Sequence, residues 1–353
     1  MTTKHTLTAL LWVGLALFSS SIAYAGNPDR AGQAGASELL INPWARSSGL
    51  HGVNSSTVQG IEATRLNVGG LSFVRKTQVV FANTMWLKGS DVSINALGFA
   101  QKLGENSVLG LNVMAMGFGE IPVTTESDPE GLSGATFSPQ LLNIGIAYAR
   151  AFSESIHVGA QATLVNEGIA DAGASGIAFD MGIQYVTGPK NNIHFGIALR
   201  NIGTPMRFKG DGLAYQLNSP QGYNFTIDQR TDKYEMPSQL NIGAAYDFHF
   251  GTKHALSFMG NFTSNSFTKD QLGAGLEYSF NKMLMLRAAY RYEKGITKTL
   301  DSAERTTAFT GLSAGISLEV PFKEDGPSIG IDYSFRATNP YDNTHSIGVR
   351  INL

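Results

Sequence analysis

The chain has no cysteine among its 353 residues. That excludes disulfide staples, a lipid-modified cysteine at a processed N-terminus and thiolate metal sites. Charge is scarce as well. Asp, Glu, Lys and Arg make up 15% of the chain, against roughly 25% in soluble proteins. A surface facing water on all sides needs more than that, so much of this one is expected to lie away from water. With a net charge of −2 and no cluster of Lys and Arg, a nucleic-acid partner is not expected. Beyond the N-terminus no apolar run approaches the roughly 20 residues of a membrane-spanning helix.

Chemistry is missing too. The seven histidines include no HExxH and no His/carboxylate group with metal-ligand spacing. "SFTK", Ser266 to Lys269, matches the short Ser-x-x-Lys pattern but falls in a loop, with no base and nucleophile nominated together. The "NFT" stretches at Asn224 and Asn261 match the short glycosylation-acceptor pattern, which by itself assigns no chemistry to the chain. Glycines stand at alternate strand positions and form no phosphate-binding loop. The expectation is a non-enzymatic protein with no cofactor and no metal.

What is present begins with a leader. Lys4 precedes "LTALLWVGLALF", and Ala23-Tyr24-Ala25 fits a small-x-small cleavage site. Residues 1–25 therefore read as a signal peptide, cleaved near Ala25, and the mature chain as exported. Further along, the stretch "NIHFGIALRN", 192–201, sets Ile193, Phe195, Ile197 and Leu199 against His194, Gly196, Ala198 and Arg200. Successive side chains of a strand point to opposite faces, so one face is apolar while the other mixes charge with very small residues. The pattern recurs in "QLLNIGIAYARAF" (140–152), "QLNIGAAYDFHF" (239–250), "QLGAGLEYSF" (271–280), "SIGIDYSFR" (328–336) and the final "SIGVRINL".

The connections alternate as well. Tight turns at 102–107, 152–156, 186–192, 250–254, 280–283 and 322–328 are interleaved with mostly longer polar stretches, the longest at 204–236. Short turns at one end and long loops at the other mark a transmembrane antiparallel β-barrel, here all-β with about 14 strands. Phe152, Phe250, Phe280 and Phe322 each flank a short turn, where an aromatic belt meets lipid headgroups. The greasy face then touches outer-membrane lipid, and closure of the sheet follows because hydrocarbon tolerates no unpaired backbone.

Residues 67–353 are assigned to the barrel. Its inward face is predicted to carry Arg200, Asp247, His249, Glu277, Arg287, Arg291, Glu293, Glu319, Asp332, Arg336 and Arg350. Both signs occur, which fits either a polar conduit or ligand surface, or a salt-bridged lining that stiffens the wall. The many small inward residues leave room for water or a plug. Segment 26–66 is the plug candidate: rich in Gly, Ser and Asn, with little strand alternation, yet too apolar at "LLINPW" for a disordered tail. It is expected inside the barrel or against its periplasmic mouth.

In "ELLINPWARSSGLHGVNSSTVQGIEATRLNVGGLSFVRKT", 38–77, an apolar triplet (Leu39, Leu40, Ile41) precedes Trp44, Ala45 and Arg46. Gly49, Leu50 and Gly52 follow, then Asn67, Gly70 and Leu71. This block resembles the PorV/PorQ family of Bacteroidota outer-membrane proteins, which is related to FadL-type barrels. The likeness continues through 86–104 and 137–153. The chain departs from the family in lacking the proline of Asn-Pro-Ala-Gly-Leu and in ending on Leu353 rather than an aromatic residue. The resemblance implies a fourteen-stranded barrel of a Gram-negative outer membrane serving type IX secretion. Members dock the translocon, bind cargo C-terminal domains or join the surface attachment complex. Loop 204–236 offers Tyr215, Tyr223 and Phe225 for such contacts, although a loop folded over its own barrel mouth fits equally. Two transport readings stand beside this one: a FadL-like passive transporter of hydrophobic or small solutes, and an ordinary porin with an open lumen.

Overall fold

The computed structural model describes residues 28–323 and 326–353; the signal peptide expected at 1–25 lies outside them. The strands are β1 Thr77–Trp86, β2 Val92–Leu103, β3 Ser107–Gly117, β4 Ile121–Pro122, β5 Thr136–Phe137, β6 Gln140–Ala151 and β7 Ile156–Ile169. There follow β8 Ala172–Thr187, β9 Ile193–Gly203, β10 Ala214–Asn218, β11 Asn224–Asp228, β12 Gln239–Phe250 and β13 His254–Asn265. The last five are β14 Gln271–Phe280, β15 Leu284–Glu293, β16 Phe309–Pro321, β17 Ser328–Thr338 and β18 Thr344–Asn352. Fourteen of them close into one antiparallel barrel, while β4–β5 and β10–β11 form separate two-stranded hairpins. Closure runs through β1 and β18, with Phe81 opposite Val349 and Ala82 opposite Gly348. The fourteen-stranded barrel read from the alternation is the observed fold.

The two faces separate as the period of two requires. Along β9, Phe195, Ile197 and Leu199 are exposed to the surroundings of the barrel, whereas His194, Ala198 and Arg200 are buried within it. Phe152, Phe250, Phe280 and Phe322 are all exposed beside their short turns. Such an outer surface is stable only against lipid.

The inner face does not enclose an open channel, because residues 28–73 run through it. They form short helical turns at Pro28–Arg30, Ser37–Leu40, Ala45–Ser48, Gly60–Arg65 and Val68–Phe73. At the long-loop end, Gly35 N–H donates to the Glu235 carbonyl at 3.0 Å and Arg30 pairs with Glu235 at 3.1 Å. At the short-turn end, Phe73 stacks on His157 with centroids 3.9 Å apart, and Ser72 Oγ lies 2.8 Å from His157 Nδ1. The segment thus fills the lumen from one mouth to the other, which is the first of the two placements expected from the sequence, inside the barrel rather than against its short-turn mouth alone. It also extends past residue 66: Val68–Phe73 still packs inside, and the first barrel strand begins only at Thr77.

Room for this plug comes from the small inward residues. A methyl added to Gly98 would stand 2.5 Å from Ile61 Cγ1, and one added to Gly159 would stand 2.5 Å from the Val68 carbonyl oxygen. The same collision recurs at Gly182 with Asn67, at Gly196 with Ser55 and at Gly273 with Val53. Glycine on the wall therefore lets the plug backbone approach the sheet directly. The irregular plug backbone needs partners inside a dry interior, and wall amides supply some of them. Gln184 Nε2 donates to the Val58 carbonyl at 2.9 Å, and Gln161 Nε2 to the Thr64 carbonyl at 3.3 Å.

A Gly159→Val barrel is expected to lose about 1–3 kcal/mol of stability, since the clash is with backbone that cannot rotate away. Its plug should become open to added protease. Gly117→Ala, where a methyl meets nothing within 4 Å, should change stability by less than about 0.5 kcal/mol. Heat-dependent gel mobility and limited proteolysis of the two variants check both expectations.

Candidate functional site: the plugged lumen and the outer hairpin

The four plug residues singled out in the sequence have distinct places. Trp44 is buried in one apolar cluster with Ile61, Leu71 and inward residues of the first strands. Arg46 reaches the wall at Glu277, 3.8 Å away. Gly49 lies against Gly315, where an added methyl would be 3.0 Å from the Gly315 Cα. Gly52 holds φ 78°, the left-handed region that favours glycine.

Seen from the plug, the inward charges fall into two groups. In the short-turn half they pair. Glu277 accepts from Arg287 Nε, and Arg287 Nη1 donates to Ser317 at 2.7 Å. Ser317 in turn donates to Asp332. Arg350 bridges Asp332 at 3.3 Å and Glu319 at 3.0 Å, and Glu319 also accepts from Ser328 at 2.7 Å. Asp247 meets His194 at 2.9 Å, while His249 stands exposed near the short-turn rim. A cavity of about 150 Å³ beside these groups is lined by Arg46, Glu62, Asp247, Glu277 and Arg287 among others. In the long-loop half, Arg200, Arg291 and Arg336 line a second cavity. Glu293, just above, accepts from Gln271 at 2.8 Å and from Thr306 at 2.8 Å.

A third constellation escaped the sequence reading. Glu38 is 1% exposed and neither carboxylate oxygen has a hydrogen-bond partner. Burial, with the negative field of Glu167 added, pushes its carboxyl up to about 7. Tyr234, from the long loop, donates to Glu167, so loop, wall and plug meet here. The one sequence signal was an acidic residue inside the apolar run "SELLINPW".

Outside the barrel, β10 and β11 form a hairpin within loop 204–238, pairing Tyr215 with Ile227 and Leu217 with Phe225. The alternation puts Tyr215, Leu217, Phe225 and Ile227 on one face, with Tyr223 in step. They are exposed at 49%, 46%, 54%, 38% and 67% respectively. The opposite face carries Gln216, Asn218, Asn224, Thr226 and Asp228. The three aromatics are thus exposed on one face of the hairpin. In the Ser-x-x-Lys stretch, Lys269 Nζ donates to the carbonyls of Lys294 (2.9 Å) and Glu304, and Ser266 Oγ instead accepts from Ser238 at 2.8 Å. They do not form a nucleophile and base.

Removing one member of a buried ion pair strands the other. Arg350→Met, which uncouples Asp332 and Glu319 at once, is expected to cost about 3–5 kcal/mol, read from the shift of the thermal unfolding midpoint. Glu38 gives a pH dependence of opposite kind. Its folded value lies above its ordinary 4.5, so the stability it contributes is full below pH 4.5 and lost as pH rises through 7. The plug's outer end should therefore loosen by about 3 kcal/mol between those limits. Proteolysis of residues 28–41 at pH 5 and pH 8 measures this, and Glu38→Gln should make the two rates equal.

Comparison with known proteins adds a family. Residues 89–351 match the model of the type IX secretion system membrane protein PorP/SprF. The match covers the barrel, while the block at 38–77 that resembles PorV/PorQ mostly precedes it; it carries the type IX assignment and not that finer grouping. No curated protein sequence matches. Among solved structures, the Pseudomonas putida toluene transporter TodX superposes with TM-score 0.54 at 14% identity, over 87% of this chain and 96% of that one. The CymD monoaromatic hydrocarbon channel gives 0.51 at 13%, over 88% and 97%. At such identities the likeness is one of fold alone. The family match spans most of the chain, and the protein belongs to the PorP/SprF family of type IX secretion system membrane proteins.

Proposed function

We propose that this protein is a non-enzymatic docking element of type IX secretion in the outer membrane, and that the β10–β11 hairpin is its partner-binding surface. The exposed apolar face of that hairpin carries the proposal. Tyr215, Leu217, Tyr223, Phe225 and Ile227 stand together in an otherwise polar loop, and such a patch on an extracellular loop fits a protein partner. The partner proposed is the translocon, a cargo C-terminal domain or the attachment complex, the roles implied by the PorV/PorQ resemblance; membership of the PorP/SprF family supports the type IX setting.

The lumen argues in the same direction. A pocket for a hydrophobic solute is typically some 300–1,000 Å³ and mostly apolar. The cavities here are about 70 and 150 Å³, and their lining mixes Arg, Asn, Gln and Glu with apolar residues such as Leu40, Trp86, Phe309 and Leu50. The plug is also held at both mouths, by Arg30–Glu235 and by Phe73–His157. Transport of hydrocarbon-like solutes is thus the weaker reading, although TodX and CymD share the fold.

Mild detergent extraction of the tagged protein from its native membrane tests the proposal. Recovery of a giant translocon barrel, or of proteins sharing a C-terminal secretion domain, is expected. Changing Tyr215, Tyr223 and Phe225 to Ser together should cut that recovery by tenfold or more, since buried interface aromatics each contribute about 1–2 kcal/mol. A barrel that emerges alone, or recovery unchanged in the triple variant, would overturn it.

A further inference from the structure

We propose that the cavity between plug and wall beneath the long loops is a binding site for one small oxyanion, held by Arg200, Arg291 and Arg336. This goes beyond docking and does not depend on it. The cavity measures about 70 Å³, room for several waters or one phosphate, sulfate or carboxylate group.

Three cationic side chains from β9, β15 and β17 converge on it. Among the described residues none of the three forms an ion pair, whereas Arg287 and Arg350 in the other half of the lumen are both paired. Arg336 is 4% exposed, and its Nε and Nη2 have no acceptor. Arg200, 5% exposed, donates to Gln239 at 3.3 Å and to the Leu39 carbonyl at 3.1 Å, leaving Nε without a partner. The nearest wall carboxylates are already engaged: Glu293 by Gln271 and Thr306, and Asp180 by Gln161 and the Asn201 N–H.

Unpaired buried guanidinium is costly, and arginine does not escape the cost by losing its proton. An anion with several oxygens supplies acceptors to all three forks at once. The orientation is prepared in advance. Arg336 Cζ lies 5.1 Å from the Trp86 ring centroid and 5.5 Å from that of Phe309, which fixes the guanidinium plane. Phe309 is itself braced edge-on by His51 at 5.1 Å. Burial and the fields of Arg291 and Arg336 hold the His51 imidazole far below its ordinary range, so it is neutral and adds no competing charge. On the remaining wall, Asn241, Asn261 and Thr263 offer neutral polar groups.

The test uses the full-length protein, folded in detergent at constant ionic strength set with chloride. Sodium phosphate, sodium sulfate and sodium hexanoate are titrated separately, with the thermal midpoint and calorimetric heat as readouts. Saturable binding of at least one is expected. Arg336→Gln should weaken it by tenfold or more, and Arg291→Gln/Arg336→Gln should abolish it. Phosphate or sulfate alone would identify an inorganic oxyanion, and hexanoate alone the carboxylate of an organic molecule; either supports the site. If Arg336→Gln does not fold, half-buried Arg291→Gln gives the same reading. No response beyond chloride for any of the three anions, or undiminished binding in the folded double variant, overturns the proposal.

Discussion

Hydrocarbon offers no hydrogen-bond partner to a peptide group, so a chain that crosses it in strands must pair every backbone N–H and C=O with its own sheet. The remaining architecture depends on this. The sheet cannot have free edges, and β1 therefore meets β18 along its length, down to the Leu353 N–H on the Thr77 carbonyl at 2.9 Å. Once closed, the sheet has an outside that must be apolar and an inside that lipid never reaches. Charge becomes permissible only on the inner face, which is why a chain so poor in charge places ten predicted inward Asp, Glu and Arg residues at alternating positions.

An interior of that size must be filled by water or by protein. Here the chain fills it with its own residues 28–73, and this is possible because the wall is thinned by glycine where plug backbone passes. The arrangement ties the two together chemically. Wall glutamines take plug carbonyls, and Arg46 joins the Glu277 cluster. A plug so held resembles the core of a soluble domain more than a hinged gate.

The two ends of the molecule carry different chemistry. Toward the short turns the charges neutralise one another. Toward the long loops, Arg200, Arg291 and Arg336 stand outside the ion pairs among the described residues, and the hairpin presents an exposed apolar face. The fold is shared with hydrocarbon channels, while the sequence belongs to a family of type IX secretion membrane proteins.

The alternation of period two and the turn lengths were enough to determine a membrane barrel of about fourteen strands, because these are local properties of consecutive residues. The same parity identified Arg200, Asp247, Glu277, Arg287, Arg291, Glu319, Asp332, Arg336 and Arg350 as facing inward. It could not say which of them meet, since Arg287 and Ser317, or Arg350 and Glu319, are joined only by strand register and barrel curvature. The path of the plug was equally out of reach: a segment without periodicity has no local code for direction, so its passage to the outer mouth and the burial of Glu38 there emerge only in three dimensions. The aromatic loop was visible as composition, but that Tyr215, Tyr223 and Phe225 share one exposed face depends on the pairing of β10 with β11. Sequence alone determined which side of the wall each residue faces; tertiary structure decided its neighbours, because contacts across a closed barrel join residues hundreds of positions apart.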